Sequence, residues 1–99
     1  MHSEIEAATY FLTNFLYDKI PRRKVNLFAE QLANFLARRF QDHWDVQNPQ
    51  KDSAFRRIQI NNQGKTDPLI SVTATTIGID WDEIVAYLPG NSLFVIKAC

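Results

Sequence analysis

The first forty residues place their apolar side chains in steps of three and four. Ile5, Ala8, Phe11, Leu12, Phe15 and Leu16 draw one stripe along a helix predicted over residues 4–18. Ser3 followed by Glu6 reads as a capping box, in which each side chain satisfies a free backbone N–H of the first turn. Pro21 lies just beyond, and residues before a proline avoid the α region, so the helix ends ahead of it. A second stripe, Val25, Phe28, Leu32, Phe35, Leu36 and Phe40, predicts a longer helix over residues 22–42. Arg38 and Arg39 stand near its C-terminus, where the helix dipole favours cations. Two amphipathic helices with a short connection predict an antiparallel pair.

The period then changes. "HWDVQNPQKDSA" reads as a long polar loop, and Phe55–Ile60 as a strand in which Ile58 and Ile60 alternate with Arg57 and Gln59. "NNQGK" turns the chain. Asp67-Pro68 opens a third helix, an acceptor at the cap followed by a residue whose missing N–H costs nothing there. Leu69, Ile70, Ala74 and Ile77 carry this helix to Gly78, a natural C-terminal stop. Asp80 and Glu83 form a second capping box, with Ile79 and Ile84 at the positions of a hydrophobic staple, and a short helix follows over 81–88. Pro89-Gly90 closes it, and "SLFVIKAC" reads as a strand. The pattern sums to an α+β fold, four helices packed around a small sheet in a single domain over residues 1–99.

Composition narrows the function. The 99 residues are 45% hydrophobic and 22% charged with a formal net charge of zero, so no global field draws nucleic acid or an anionic membrane. The single cysteine, Cys99, allows no internal disulfide and no Cys/His metal spacing, which fits a reducing compartment. No apolar run approaches the roughly 20 residues of a membrane span, and the N-terminus carries Glu4 and Glu6 in place of a basic leader. The expectation is an intracellular protein, cytoplasmic or nuclear, with no membrane partner. His2 and His43 lack catalytic neighbours in the sequence, the three glycines form no phosphate loop, and Asp80 and Asp82 are accounted for as a cap and a first-turn acid. The reading is a non-enzyme with no cofactor and no metal.

Two basic groups stand out. Arg22, Arg23 and Lys24 occupy the first turn of the second helix, against its dipole by roughly 0.3–1 kcal/mol each before screening. The residues three and four positions further on are Val25, Asn26, Leu27 and Phe28, so no acid on the same helix face pairs with them. They are solvated side chains, a partner or RNA-phosphate contact, or a nuclear import signal. Arg56 and Arg57 follow Phe55, an aromatic-plus-cation grouping that suits single-stranded nucleic acid, or simply a strand with a solvated charged face.

The segment "MHSEIEAATYFLTNFLYDKIPRRKVNLFAEQLANFLARRFQDHW" resembles the start of the Tob/BTG antiproliferative domain, nearer to the Tob branch because of "YDKIPRRKVNLF". The likeness continues through "SAFRRIQIN", "DPLI", Gly78-Ile79-Asp80 and "LPGNSLFV" and so covers essentially the whole chain. The resemblance implies an adaptor that binds the Caf-type nuclease subunit of the cytoplasmic deadenylase and so brings poly(A) shortening to chosen messenger RNAs. RNA would then be reached indirectly, through partners. The family's nuclease-facing surface uses an aromatic in a "G-[YF]-R" segment and a Trp in an "L-x-x-W-x-D-P" segment. The first maps onto Phe55 and Arg56; the second maps onto "SLFVIKA", from Ser92 to Ala98, with Val95 in the Trp position and Lys97-Ala98 in place of Asp-Pro. The resemblance thus implies a partner surface of Phe55, Arg56, Leu93, Val95 and Lys97. Separately, the clustered charges make Arg22, Arg23, Lys24 and Arg57 the candidates for anion or RNA contact. The family domain continues with further strands, and an apolar strand at a sheet edge invites pairing with another chain. The alternative reading is therefore a self-assembling, homo-oligomeric RNA-regulatory scaffold that has lost the usual nuclease contact.

Overall fold

The computed structural model describes residues 1–41, 44, 47–48, 56–60, 66–88 and 90, together with the backbone of 92–95 and Ile96. The elements run α1 (His2–Thr13), α2 (Arg22–Phe40), β1 (Arg57–Ile60), α3 (Pro68–Ile77), α4 (Trp81–Tyr87) and β2 (Ser92–Val95). The α+β reading holds, and among the described residues the sheet is one antiparallel pair in which Arg57 opposes Val95 and Ile60 opposes Ser92. The predicted loop and turn over 43–54 and 61–65 fall largely outside the described residues.

α2 is the spine. Val25, Phe28, Leu32, Leu36 and Phe40 are all buried to 1% exposure or less, and α1 and α3 both pack against this helix. Each such side chain stabilises the fold by about 1.5–3 kcal/mol through removal from water. Phe35, expected on the same stripe, is only partly buried at its margin. Ile58 and Ile60 carry β1 into the same core while Arg57 and Gln59 face solvent, as the alternation predicts. That burial matters, because a two-stranded ribbon is marginal on its own in water.

α1 departs from expectation at both ends. It begins at His2 with Met1 as its cap residue, so Ser3 and Glu6 form no capping box; the Ser3 hydroxyl donates instead to Glu4, which the terminal ammonium also approaches at 3.0 Å. It ends at Thr13, and tighter turns carry the chain through Asp18, whose φ of 77° lies in the left-handed region that Asp tolerates better than most residues. Phe11 and Phe15, read as core, are 52% and 39% exposed and meet edge to face at 5.5 Å. The buried face is narrower and displaced towards Ile5, Thr9, Leu12 and Thr13. Thr9 and Thr13 enter it without an unsatisfied hydroxyl, since they donate to the carbonyls of Ile5 and Thr9 at 2.7 and 2.9 Å.

The later helices follow their caps. Asp67 accepts from the Leu69 N–H at 2.9 Å and Asp80 from the Asp82 N–H at 3.2 Å, so both cap their helices, but among the described residues no bond from the Glu83 side chain completes the predicted capping box. Ile79 and Ile84 are both buried, as a staple requires. Thr73, Thr75 and Thr76, poor helix formers, return their hydroxyls to carbonyls four residues back within α3. Gly78 ends α3 at φ 82°, where an added Cβ meets nothing within 4 Å. Gly78→Ala is therefore expected to cost about 1–2 kcal/mol from backbone conformation alone, read as a lower urea midpoint with an unchanged slope.

Candidate functional site

The two segments singled out for partner contact lie forty residues apart in sequence and meet at one end of the β1–β2 ribbon. Arg57 opposes Val95, and one residue further out the Ile96 N–H donates to the Arg56 carbonyl at 3.0 Å. Leu93 opposes Gln59 in the middle of the pair. Phe55 and Lys97 lie outside the described residues, each one position beyond this last backbone bond. The side chains of Leu93 and Val95 are likewise outside the description.

Arg56 is a correction. The resemblance set it on the partner surface, but it is 1% exposed, among the most buried large side chains of the domain. Its Nε donates to the Ile96 carbonyl at 2.8 Å, and its guanidinium lies 5.7 Å from the centre of the Trp44 ring. Arginine suits this place because its Nε–H donates while its delocalised charge lies over an aromatic ring. Trp44 in turn stacks on Phe40 at 6.0 Å with 24° between planes. Its buried Nε1 has no hydrogen-bond acceptor among the described residues.

Trp44 belongs to the stretch predicted as a polar loop, yet it packs against the core. A signal was present: Leu36, Phe40 and Trp44 are spaced by four, so the tryptophan extends the core stripe of α2 past the helix end. A second link near the ribbon had no sequence signal. Arg39 grips both carboxylate oxygens of Asp67, 28 residues away, at 2.8 Å each. The Asp67 N–H donates to the Gln59 carbonyl at 2.8 Å, so one residue joins α2, α3 and β1. Burial pushes the Asp67 carboxyl up, but the hydrogen bonds from Arg39 and from the Leu69 N–H, with the Arg39 charge, outweigh it and hold the group below the usual carboxylate range.

The basic cluster lies elsewhere. Arg22, Arg23 and Lys24 are exposed on the first turn of α2, which Pro21 caps without any side-chain hydrogen bond. Arg22 rests 5.7 Å from the Tyr17 ring, whose hydroxyl donates to Asn26 at 2.6 Å. Arg22 and Arg23 line a shallow depression with Asn26, Leu27 and Glu30. Arg57 is exposed on β1, and among the described residues no hydrogen bond, ion pair or ring contact joins it to the α2 cluster. A separate groove of about 420 Å³ runs between α1 and α2, floored by Thr9, Thr13, Ala29, Ala33 and Ala37. Among the described residues there is no group of three or more His, Cys, Asp or Glu fit to hold a metal, and no helix is long and apolar enough to cross a membrane.

Comparison with known proteins agrees with this architecture. Residues 1–97 match the BTG family model. Human Tob1 is 39% identical over 89 residues, 90% of this chain and 25% of that protein. Chicken BTG1 is 37% identical over 93 residues, 92% of this chain and 54% of its own length. The chain thus spans about a quarter of Tob1 and about half of BTG1. Among solved structures, a doubly substituted C. elegans FOG-3 BTG/Tob domain superposes with a TM-score of 0.89 at 26% identity, over 98% of this chain and 68% of that one. With a family match over nearly its whole length and a higher identity to Tob1 than to BTG1, this chain belongs to the BTG family, nearer to its Tob branch.

Proposed function

We propose that the domain is a non-catalytic adaptor that binds the Caf-type nuclease subunit of the cytoplasmic deadenylase and so couples that complex to the control of messenger RNA. The observation that supports this reading is the pairing at the ribbon end. Arg57 opposite Val95 and the Ile96–Arg56 backbone bond bring the "SAFRR" and "SLFVIKA" segments to one edge, although each is remote from the other in sequence. Both segments are those through which the family resemblance implies nuclease contact.

Calorimetric titration of the domain with the purified Caf-type nuclease subunit tests it. Binding at micromolar concentration or tighter is expected, and Phe55→Ala should weaken it by at least about thirtyfold, the equivalent of a 2 kcal/mol anchor residue. Absence of binding by the folded wild-type domain would refute the adaptor reading. Val95 and Lys97 favour a second reading, because an aliphatic side chain and a cation stand where the family pattern has Trp and Asp. In that reading the domain is a self-associating scaffold. It predicts concentration-dependent sedimentation with no nuclease binding, and no gain in binding from the Val95→Trp, Lys97→Asp double variant.

A further inference from the structure

We propose that Arg56 is a positioning residue for the docking edge, a reading that rests on the adaptor function above. Two bonds close the same pair of residues in opposite senses: the Ile96 N–H donates to the Arg56 carbonyl, and the Arg56 Nε donates to the Ile96 carbonyl, at 3.0 and 2.8 Å. A buried cation is costly to remove from water unless it is hydrogen-bonded, and the nearly fully buried Arg56 places one such bond on the ribbon end. Here the side chain closes the ribbon at the point where the chain passes to Phe55 on one side and Lys97 on the other.

The clamp is anchored at its far end. Phe40 is the last residue of α2 and fully buried; Trp44 stacks on it; the guanidinium of Arg56 lies over the face of Trp44. A chain of contacts thus runs from Phe40 through Trp44 and Arg56 to the Ile96 carbonyl and links the end of α2 to the end of the ribbon. Lysine cannot replace arginine in it. An ammonium is a point charge with no planar face to stack while an Nε donates sideways.

A double-mutant cycle with the purified Caf-type nuclease subunit decides the matter. Arg56→Lys is expected to weaken binding at least tenfold in the wild-type background and less than twofold in the Phe55→Ala background, because its effect passes through the segment it holds. Additive losses would make Arg56 a direct contact and overturn the proposal, as would unchanged binding. Trp44→Leu, which removes the stack but touches neither docking segment, should show the same non-additivity with Phe55→Ala. It serves if Arg56→Lys fails to fold. The clamp also has a readout independent of the nuclease. Amide exchange of Ile96 should accelerate at least tenfold in Arg56→Lys while the amides of Leu32 and Leu36 keep their protection. Equal acceleration of all three would mark a merely structural residue. If the wild-type domain binds no nuclease, the adaptor reading fails by itself, and uniform or absent change at Ile96 still refutes the clamp.

Discussion

Replacing Phe40 with alanine is expected to remove a large share of the domain's stability, by about 3–5 kcal/mol. A chain of this length has only about 5–15 kcal/mol to lose. Phe40 has no exposed surface and ends the buried stripe of α2, so its truncation leaves a hole bounded by an ordered helix that cannot collapse freely. The stack with Trp44 is lost as well, worth about 0.5–1.5 kcal/mol beyond area. Melting temperature should fall by about 4–8 °C for each kcal/mol in a domain of this size. Phe35→Ala, on the same helix but only partly buried, should cost much less. Chemical denaturation of the two variants side by side checks this. Equal losses, or a Phe40→Ala loss below about 1 kcal/mol, would contradict the packing described.

Asp67→Ala carries the second large effect. It removes the cap of α3, worth about 1 kcal/mol. It also strips both charge-assisted hydrogen bonds from Arg39, worth about 1.5–3 kcal/mol, and leaves that guanidinium half-buried without its carboxylate. The Asp67 and Arg39 side chains are 11% and 28% exposed, so solvent screens the pair in part and the lower end of that range applies. Asp67→Asn should retain the cap and lose the charge, and so fall between alanine and wild type. The same group gives the domain an acid limb. Its folded pKa lies below the ordinary value, so the unfolded chain takes up the proton first as pH falls. The contribution is therefore fully present above the ordinary carboxylate range near pH 4 and is lost as pH drops through the folded value. Urea midpoints measured from pH 6 down to pH 2 should fall in the wild type, and the part of that fall due to this carboxyl should vanish in Asp67→Asn. Identical profiles would show that the pair does not stabilise the fold.

Local signals carried most of the architecture. The α2 stripe, the Asp67-Pro68 start, the Gly78 stop and the Ile58/Ile60 alternation each depend on neighbours within a few residues, and each matches the fold. The misreadings share one physical origin, competition from distant parts of the chain. Phe11 and Phe15 keep helical spacing, but which face of α1 is buried is decided by where α2 lies, and the threonines took that face by satisfying their own hydroxyls. Arg56 looked like a solvated strand residue because nothing local announces Trp44 or the Ile96 carbonyl as its partners. For the same reason Arg39 was readable as a dipole partner and not as the mate of Asp67.

The ribbon also has a consequence for the order in which the domain assembles. α1 and α2 are consecutive and meet across a short connection, whereas β1 and β2 join residues about 35 positions apart, across α3 and α4. Contacts so distant in sequence form after the local ones, because closing the longer loop costs more entropy before any bond rewards it. The helical pair is thus the early product of folding and the ribbon end a late one. During synthesis, a nascent chain that has emerged only as far as α4 lacks the Ser92–Val95 strand, so the ribbon cannot close until β2 follows.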